Sequence, residues 1–112
     1  MGLKHVFGDK PIPSILDFMM VHRHWDYPLS AIAEATGVSY RTLQAAVPLL
    51  VKRELLKETR EVGKAKMYAV NFDSPAVRKL HAFAIECDYE FGKREAKKGK
   101  TAAPRRVQFA RA

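Results

Sequence analysis

The chain has 112 residues, which is enough for one domain, or two at most, with a compact core. Its 47% hydrophobic and 29% charged residues are typical of a folded protein rather than a disordered one. The single cysteine, Cys87, excludes an internal disulfide and a zinc site built on several thiolates. No apolar run is long enough for a signal peptide or a membrane span, so we expect a cytoplasmic protein.

The positive charge is concentrated at the C-terminal end of the chain. Lysine plus arginine number 20 and aspartate plus glutamate 12, for a formal net charge of +8 and a sequence pI of about 9.8. Residues 92–112 hold 8 of the basic residues and 1 of the acidic ones, so residues 1–91 are almost neutral. A nearly neutral body with a basic tail indicates a polyanionic partner.

The first predicted elements are a helix and a short extended link. Ser14 and Asp17 resemble a helix N-terminal capping box, and apolar residues follow at helical spacing, which predicts a helix from 14 to about 24. The segment Tyr27-Pro28-Leu29 is too short for more than an edge strand or an extended link. No internal repeat is visible, so a solenoid is excluded.

Two helices separated by a tight turn follow this link. Ser30 is the predicted N-cap of a short helix over 31–36, and Gly37 occupies the usual C-terminal capping position. Ser39 then caps a third helix that begins at Tyr40 and carries apolar residues at helical spacing. Small residues before Gly37 allow the two helices to approach closely, so the pattern predicts a helix-turn-helix.

After residue 54 the apolar period changes from helical to alternating. Strands are predicted over 55–60 and 67–72, joined by a loop over 61–66 that contains Gly63 and two lysines. This arrangement predicts an antiparallel hairpin directly after the third helix.

These elements together resemble a known family. The run LSAIAEATGVSYRTLQAAVPLLVKRELL, followed by KETREVGKAKMYAVN, is similar to the winged helix-turn-helix of the MarR-like and ArsR-like prokaryotic transcriptional regulators, archaeal ones especially. The resemblance covers about residues 12–72. It implies a mainly α fold with a small β-hairpin (α+β). It also implies that the third helix enters the major groove of DNA, and that the hairpin, called the wing, contacts the DNA backbone or minor groove.

Carried over by position, the resemblance places DNA contacts on the third helix and on the wing. Arg41 and Gln44 have the side-chain chemistry to bind guanine and adenine edges, whereas Ser39 and Thr42 suit phosphates beside a helix N-terminus. The expected contact residues are Ser39, Tyr40, Arg41, Thr42, Gln44, Ala45, Pro48 and Lys52 on the helix, with Arg60, Lys64 and Lys66 on the wing. The alternative is that they form only the solvent-exposed face of a helix packed on the core.

Two positions depart from the family's pattern. Glu54 stands near the end of the third helix, where family members usually carry glycine. The resemblance therefore does not determine how the chain turns into the hairpin. Pro48 lies inside the helix, where it removes the hydrogen bond to the carbonyl of Gln44 and disfavours helical geometry at the preceding residue. Because the apolar positions continue beyond Pro48, we expect a kink rather than a break.

A fourth helix begins at Ser74 and Pro75 and carries an apolar seam. The first three helices and the hairpin already supply a core, so we expect the seam to pack against a second copy of the chain. The resemblance agrees, since such regulators commonly dimerise through terminal helices. Gly92 is expected to end or weaken this helix. The seam consists of Val77, Leu80, Ala84, Cys87 and Phe91, with Cys87 interpreted as a small buried residue rather than a redox sensor.

Residues 93–112 form a strongly basic tail. Beside a DNA-binding fold, such a tail is expected to bind phosphates without sequence preference, with an affinity that falls steeply with salt; the alternative is a solvated extension. Residues 93–98 are also able to continue the fourth helix before Gly99 and Pro104 stop it. The expected phosphate-binding residues are Lys93, Arg94, Lys97, Lys98, Lys100, Arg105 and Arg106.

The histidines do not form a metal-binding pattern. His22 and His24, two positions apart on a helix, point about 200° apart, and no carboxylate or thiol is placed to complete a site. His5 and His81 are isolated. There is no glycine-rich phosphate loop, no serine or cysteine with an assignable base, and no carboxylate pair in a cleft. We therefore expect no metal, no cofactor and no enzymatic activity.

The sequence as a whole predicts a winged helix-turn-helix domain over 1–73, a dimerisation helix over 74–92 and a basic tail over 93–112. The favoured interpretation is a dimeric transcriptional regulator that binds specific double-stranded DNA sequences and no membrane. One alternative is an architectural or partition-type protein with little sequence preference, which the small residues Ala45 and Pro48 and the tail charge favour. Another is a winged-helix protein docking module, against which Arg41 and the basic tail argue.

Overall fold

The computed structural model describes residues 1–101, with side chains described as far as Lys93. The tail residues Arg105 and Arg106 lie outside the described residues, as do the side chains of Arg94, Lys97, Lys98 and Lys100. The elements in chain order are α1 (Lys4–Phe7), α2 (Pro11–Val21), α3 (Leu29–Thr36), α4 (Tyr40–Lys52), β1 (Leu56–Val62), β2 (Ala65–Val70) and α5 (Pro75–Thr101). The mainly α fold with one β-hairpin is confirmed.

The N-terminal region differs from its prediction in both its helices. The single-turn helix α1 was not predicted, and α2 begins at Pro11 instead of residue 14 and ends at Val21 instead of about 24. The predicted capping box is wrong, because Pro11 at the first helical position starts the helix and Ser14 lies inside it. Asp17 is buried and accepts hydrogen bonds from the backbone N–H groups of Leu3 (3.0 Å) and Lys4 (3.2 Å). This carboxylate therefore attaches α1 to α2.

The helix-turn-helix is present, with one shifted boundary. Helix α3 begins at Leu29, after an extended Pro28, so Ser30 is not its N-cap as predicted. Gly37 has φ 78° and ψ 1°, the left-handed conformation that the predicted C-cap requires. The Ser39 hydroxyl accepts a hydrogen bond from the Thr42 N–H at 3.1 Å, which confirms the predicted cap of α4. Helix α4 continues through Pro48 to Lys52, so the proline does not end it.

The turn from α4 into the hairpin is made without glycine. Glu54 has φ 63°, a left-handed conformation that side chains with a Cβ adopt at a cost. The Leu55 N–H donates to the Leu50 carbonyl at 2.9 Å, and the side-chain amide of Asn71 donates to the Glu54 carbonyl at 2.9 Å. These bonds hold the chain in the reversal that leads to β1.

The hairpin is antiparallel, and its turn is tighter than predicted. Leu56 pairs with Val70 at one end, and Val62 pairs with Ala65 at the other. The turn therefore contains only Gly63 and Lys64 instead of a loop over 61–66, since Gly63 adopts φ 63° without steric cost. Tyr27 exchanges two backbone hydrogen bonds with Tyr68, of 2.8 and 2.9 Å, as the predicted edge link allows.

The core lies where α2, α3, α4 and the hairpin meet, and α5 closes it. Val77, Ala84 and Cys87 of α5 are already buried within one chain. The expectation that this part of the seam packs against a second copy is therefore wrong. The physical reason is the unpredicted N-terminal segment. Gly2 packs so closely on α5 that an added Cβ would lie 1.8 Å from the Ala84 carbonyl oxygen. Helix α5 passes through Gly92, which neither ends nor interrupts it.

Candidate nucleic-acid interface

One face of α4 is exposed along the whole helix. Leu43, Val47 and Leu50 are buried on the opposite face, and their packing sets the rotation of the helix about its axis. Five predicted contact residues therefore point to solvent together. We call these five the recognition face: Arg41, Gln44, Ala45, Pro48 and Lys52.

The N-terminus of α4 is held by its own side chains. The Ser39 hydroxyl donates to the Thr42 hydroxyl at 2.8 Å while it accepts from the Thr42 N–H. Tyr40 is exposed immediately beside this cap. The predicted phosphate ligands Ser39 and Thr42 are thus already hydrogen-bonded to one another at the position where the helix begins.

A groove joins the start of α4 to the wing. It measures about 250 Å³ and brings together three predicted contact residues from two elements: Tyr40 of α4, and Lys64 and Lys66 of the hairpin. Leu29 and Ser30, at the start of α3, line it as well, and the sequence analysis did not single them out for contact. Their place in the groove follows from the Tyr27–Tyr68 pairing, which brings the start of α3 against β2.

Arg60 differs from Lys64 and Lys66, the other two predicted contact residues of the wing. Its Nε donates to Oδ2 of Asp26 at 2.9 Å and its Nη2 donates to Oδ1 at 3.1 Å, while the Thr59 hydroxyl donates to the same carboxylate. The hydrogen bonds from Arg60 and then Thr59 lower the pKa of Asp26 to about 2. The charge of Arg60 is therefore paired within the chain, which the sequence analysis did not predict.

A second cluster, also not predicted, joins α5 to the winged body. The Phe72 ring contacts both the Arg23 guanidinium, 4.3 Å from the ring centroid, and the His81 ring, whose centroid lies 5.0 Å from that of Phe72. The Arg78 Nη1 donates to the Phe72 carbonyl oxygen at 2.7 Å. Burial, and then the charge of Arg23, lower the pKa of His81. We call Arg23, Phe72, Arg78 and His81 the α5 joint, since it sets where α5 leaves the hairpin.

Neither a metal-binding cluster nor a membrane-spanning helix is found among the described residues. No three His, Cys, Asp or Glu side chains come together there in a group that could hold a metal ion. None of the described helices combines the length and the apolarity that crossing a membrane requires.

Several solved structures have the same fold as this chain. A mutant of ZitR from Lactococcus lactis superposes with a TM-score of 0.58 and 19% identity, over 78% of this chain and 60% of that one. Wild-type ZitR in complex with DNA gives 0.55 and 18%, over 76% and 60%. The adhesin competence repressor AdcR from Streptococcus pyogenes gives 0.58 and 15%, over 76% and 65%. No protein-family model and no curated protein matches the chain.

These similarities define the fold class. The chain is a winged helix-turn-helix protein, in which α3 and α4 form the helix-turn-helix and β1 and β2 form the wing. It spans about three-fifths of the length of the ZitR chains. The fold implied by the sequence resemblance is confirmed.

Proposed function

We propose that this protein is a dimeric transcriptional regulator that binds specific sequences of double-stranded DNA, with α4 in the major groove and the wing on the backbone. The observation that carries the proposal is that α4 exposes the recognition face along its whole length, while Tyr40 at its start lines a groove with Lys64 and Lys66 of the wing. A ZitR structure of the same fold is a complex with DNA, and AdcR is named a repressor.

The recognition face contains groups that suit base edges. Arg41 lies in the first turn of α4, and Gln44 follows within the next turn. Arginine binds guanine O6 and N7 with two hydrogen bonds, and glutamine binds adenine N6 and N7 in the same way. Residues near the N-terminus of a recognition helix are the ones that reach base edges in helix-turn-helix complexes. Arg41 and Gln44 are therefore the proposed determinants of sequence preference.

The proposed backbone contacts lie around these two residues. Lys64 and Lys66 are exposed on the wing and Lys52 is exposed at the end of α4. Each adds a positive charge that a phosphate can neutralise, which raises affinity without selecting sequence. The basic tail adds more charge of the same kind and is proposed as a phosphate clamp.

The proposed dimer uses surfaces that the single chain leaves exposed. Helix α5 has 27 residues, about 40 Å, and extends well beyond the body that it closes. Phe83, Ile85 and Tyr89 are large, exposed side chains on α5, and Val6 and Phe7 are exposed on the neighbouring α1. At 100° per residue, Ile85 and Tyr89 lie on one side of α5 and Phe83 on another. A second copy packed on the side of Ile85 and Tyr89 would present two α4 helices to DNA, and half-sites bound by such a pair lie about 34–36 Å apart.

The test is fluorescence-anisotropy binding of the full chain to duplex DNA across a salt series. Arg41→Ala is expected to weaken binding by about 10- to 100-fold, the loss typical of a two-bond contact to guanine. Arg53→Ala is the matched control, since Arg53 is exposed at the end of α4 but lies off the recognition face. Equal losses in the two variants would contradict the assigned role of α4.

A second candidate is an architectural protein that binds DNA with little sequence preference. The small residues Ala45 and Pro48 and the tail charge favour it. It predicts equal affinities for unrelated duplexes and a steep salt dependence carried by the tail. Replacing Lys97, Lys98 and Lys100 by glutamine tests the tail without shortening the chain. A docking module, the third candidate, predicts no binding to any duplex.

A further inference from the structure

We propose that Ala45 and Pro48, at the centre of the recognition face, bind the 5-methyl groups of thymine, so that the preferred half-site requires thymines there. The proposal rests on the proposed binding of α4 in the major groove. It assigns the specificity of that site to apolar contact as well as to the hydrogen bonds of Arg41 and Gln44.

The geometry of α4 places these two residues opposite the buried face. Leu43 and Val47 are fully buried and Leu50 nearly so. At 100° per residue, the row most distant from these three runs through Arg41, Ala45, Pro48 and Lys52. Ala45 and Pro48 therefore occupy the middle of the surface that would face a base stack, with a cation on either side.

The chemistry of these side chains limits what they can recognise. Neither has a hydrogen-bond donor or acceptor, and Pro48 also lacks the backbone N–H. Of the groups that the major groove presents, the thymine methyl is the one recognised by apolar contact. A polar base edge placed against either side chain would lose its water without a replacement hydrogen bond.

Pro48 has no role in the core that would explain its place in α4. A proline inside a helix removes one hydrogen bond and crowds the preceding turn, which destabilises the helix. The Pro48 side chain is exposed, so no burial within the chain offsets this cost. A rigid apolar ring at the centre of the recognition face gains its burial when a methyl group packs on it.

The spacing along α4 predicts where the thymines lie. Ala45 is four residues and Pro48 seven residues beyond Arg41, which is about 6 and 10 Å along the helix axis. Base pairs are about 3.4 Å apart. The thymine methyls should therefore lie within about three base pairs of the base that Arg41 contacts.

The experiment begins with selection of bound duplexes from a random pool by the full chain. Each thymine in the selected half-site is then replaced by deoxyuridine, which removes only the methyl group and keeps the base pair. At one or two positions per half-site, the deoxyuridine substitution is expected to weaken binding of the duplex by about fourfold, the value for one buried methyl group. Deoxyuridine substitutions at thymines outside the half-site serve as controls and should leave the affinity unchanged.

Two variants connect the methyl effect to the named residues. In Pro48→Ser and Ala45→Ser, each of which places a polar hydroxyl on this face, the deoxyuridine effect should shrink to less than twofold at one position each. Ala35→Ser is the matched control, since Ala35 is an exposed alanine on α3, off the recognition face, and the variant should keep the full effect. Both main substitutions are compatible with a helix, and Ala45 and Pro48 are exposed, so folding is preserved.

The outcomes distinguish failure of the methyl-contact proposal from failure of the proposed sequence-specific DNA binding. Suppose that a site is selected and that Arg41→Ala weakens binding to it, but deoxyuridine leaves the affinity unchanged. The methyl proposal is then overturned, and sequence-specific binding stands. If the chain binds DNA but selects no site, sequence-specific regulation is overturned, and the methyl proposal falls with it.

Discussion

The turn after α4 contains a residue whose replacement should stabilise the protein. Glu54 has φ 63°, and its side chain is exposed. A non-glycine residue in this left-handed conformation costs about 1–2 kcal/mol. Glycine removes that cost but adds about 0.5–1 kcal/mol of unfolded-chain entropy to be lost on folding. Glu54→Gly should therefore raise the free energy of unfolding by up to about 1.5 kcal/mol, with a central value of about 0.7 kcal/mol.

Equilibrium unfolding in urea measures this change directly. The backbone bonds of the turn, from Leu55 N–H to Leu50 and from Asn71 to the Glu54 carbonyl, do not use the Glu54 side chain, so the substitution leaves them in place. Glu54→Ala keeps the Cβ and should give no gain. Glu58→Gly, on an exposed strand position, should lower stability. The reasoning is refuted if Glu54→Gly is no more stable than Glu54→Ala.

Three further substitutions test the contacts that join the elements. Asp17→Ala removes a buried acceptor of two backbone N–H groups and should lower the free energy of unfolding by about 2–4 kcal/mol in urea, whereas exposed Asp9→Ala should change it by under about 0.5 kcal/mol. The lowered pKa of His81 means that the unfolded chain binds its proton more tightly, so stability is full above the ordinary pKa of 6.5 and falls as pH drops below it. In His81→Gln, the urea midpoint of unfolding should depend less on pH between pH 7 and 5 than in the parent chain. An unchanged pH dependence would contradict this. Asp26→Asn should release Arg60 for a phosphate and steepen the salt dependence of DNA binding by about 0.9 in log–log slope; an unchanged slope would show that Arg60 does not reach DNA.

Sequence reasoning succeeded where local chemistry decides the structure. Gly37 takes the left-handed C-cap, Ser39 caps α4, and Pro75 opens α5 because each depends on backbone geometry within a few residues. The alternating pattern after residue 54 identified the hairpin for the same reason, since side-chain period is a local property. Helical periodicity identified the buried side of α4, and the residues of the recognition face were carried over by position from the family resemblance.

The N-terminal segment shows where that reasoning stops. Asp17 has the spacing of a capping residue, yet it is buried and binds the backbone of Leu3 and Lys4, 14 and 13 positions away. The same segment covers Ala84 and Cys87, so these residues of the seam are buried within one chain and need no second copy to cover them. A helical period shows that a face must be buried but does not identify what covers it.

The charged contacts belong to the tertiary structure as well. Arg60 is one of three predicted contact residues on the wing, but only in the folded chain does Asp26, 34 residues away, neutralise it. The α5 joint likewise assembles Arg23, Phe72 and His81 from three separate segments. The sequence by itself determined α3, α4, the start of α5, the hairpin and the apolar side of α4, because these depend on neighbours along the chain. Only the tertiary structure decided which charges remain free and which apolar faces stay exposed, because both depend on packing between residues distant in sequence.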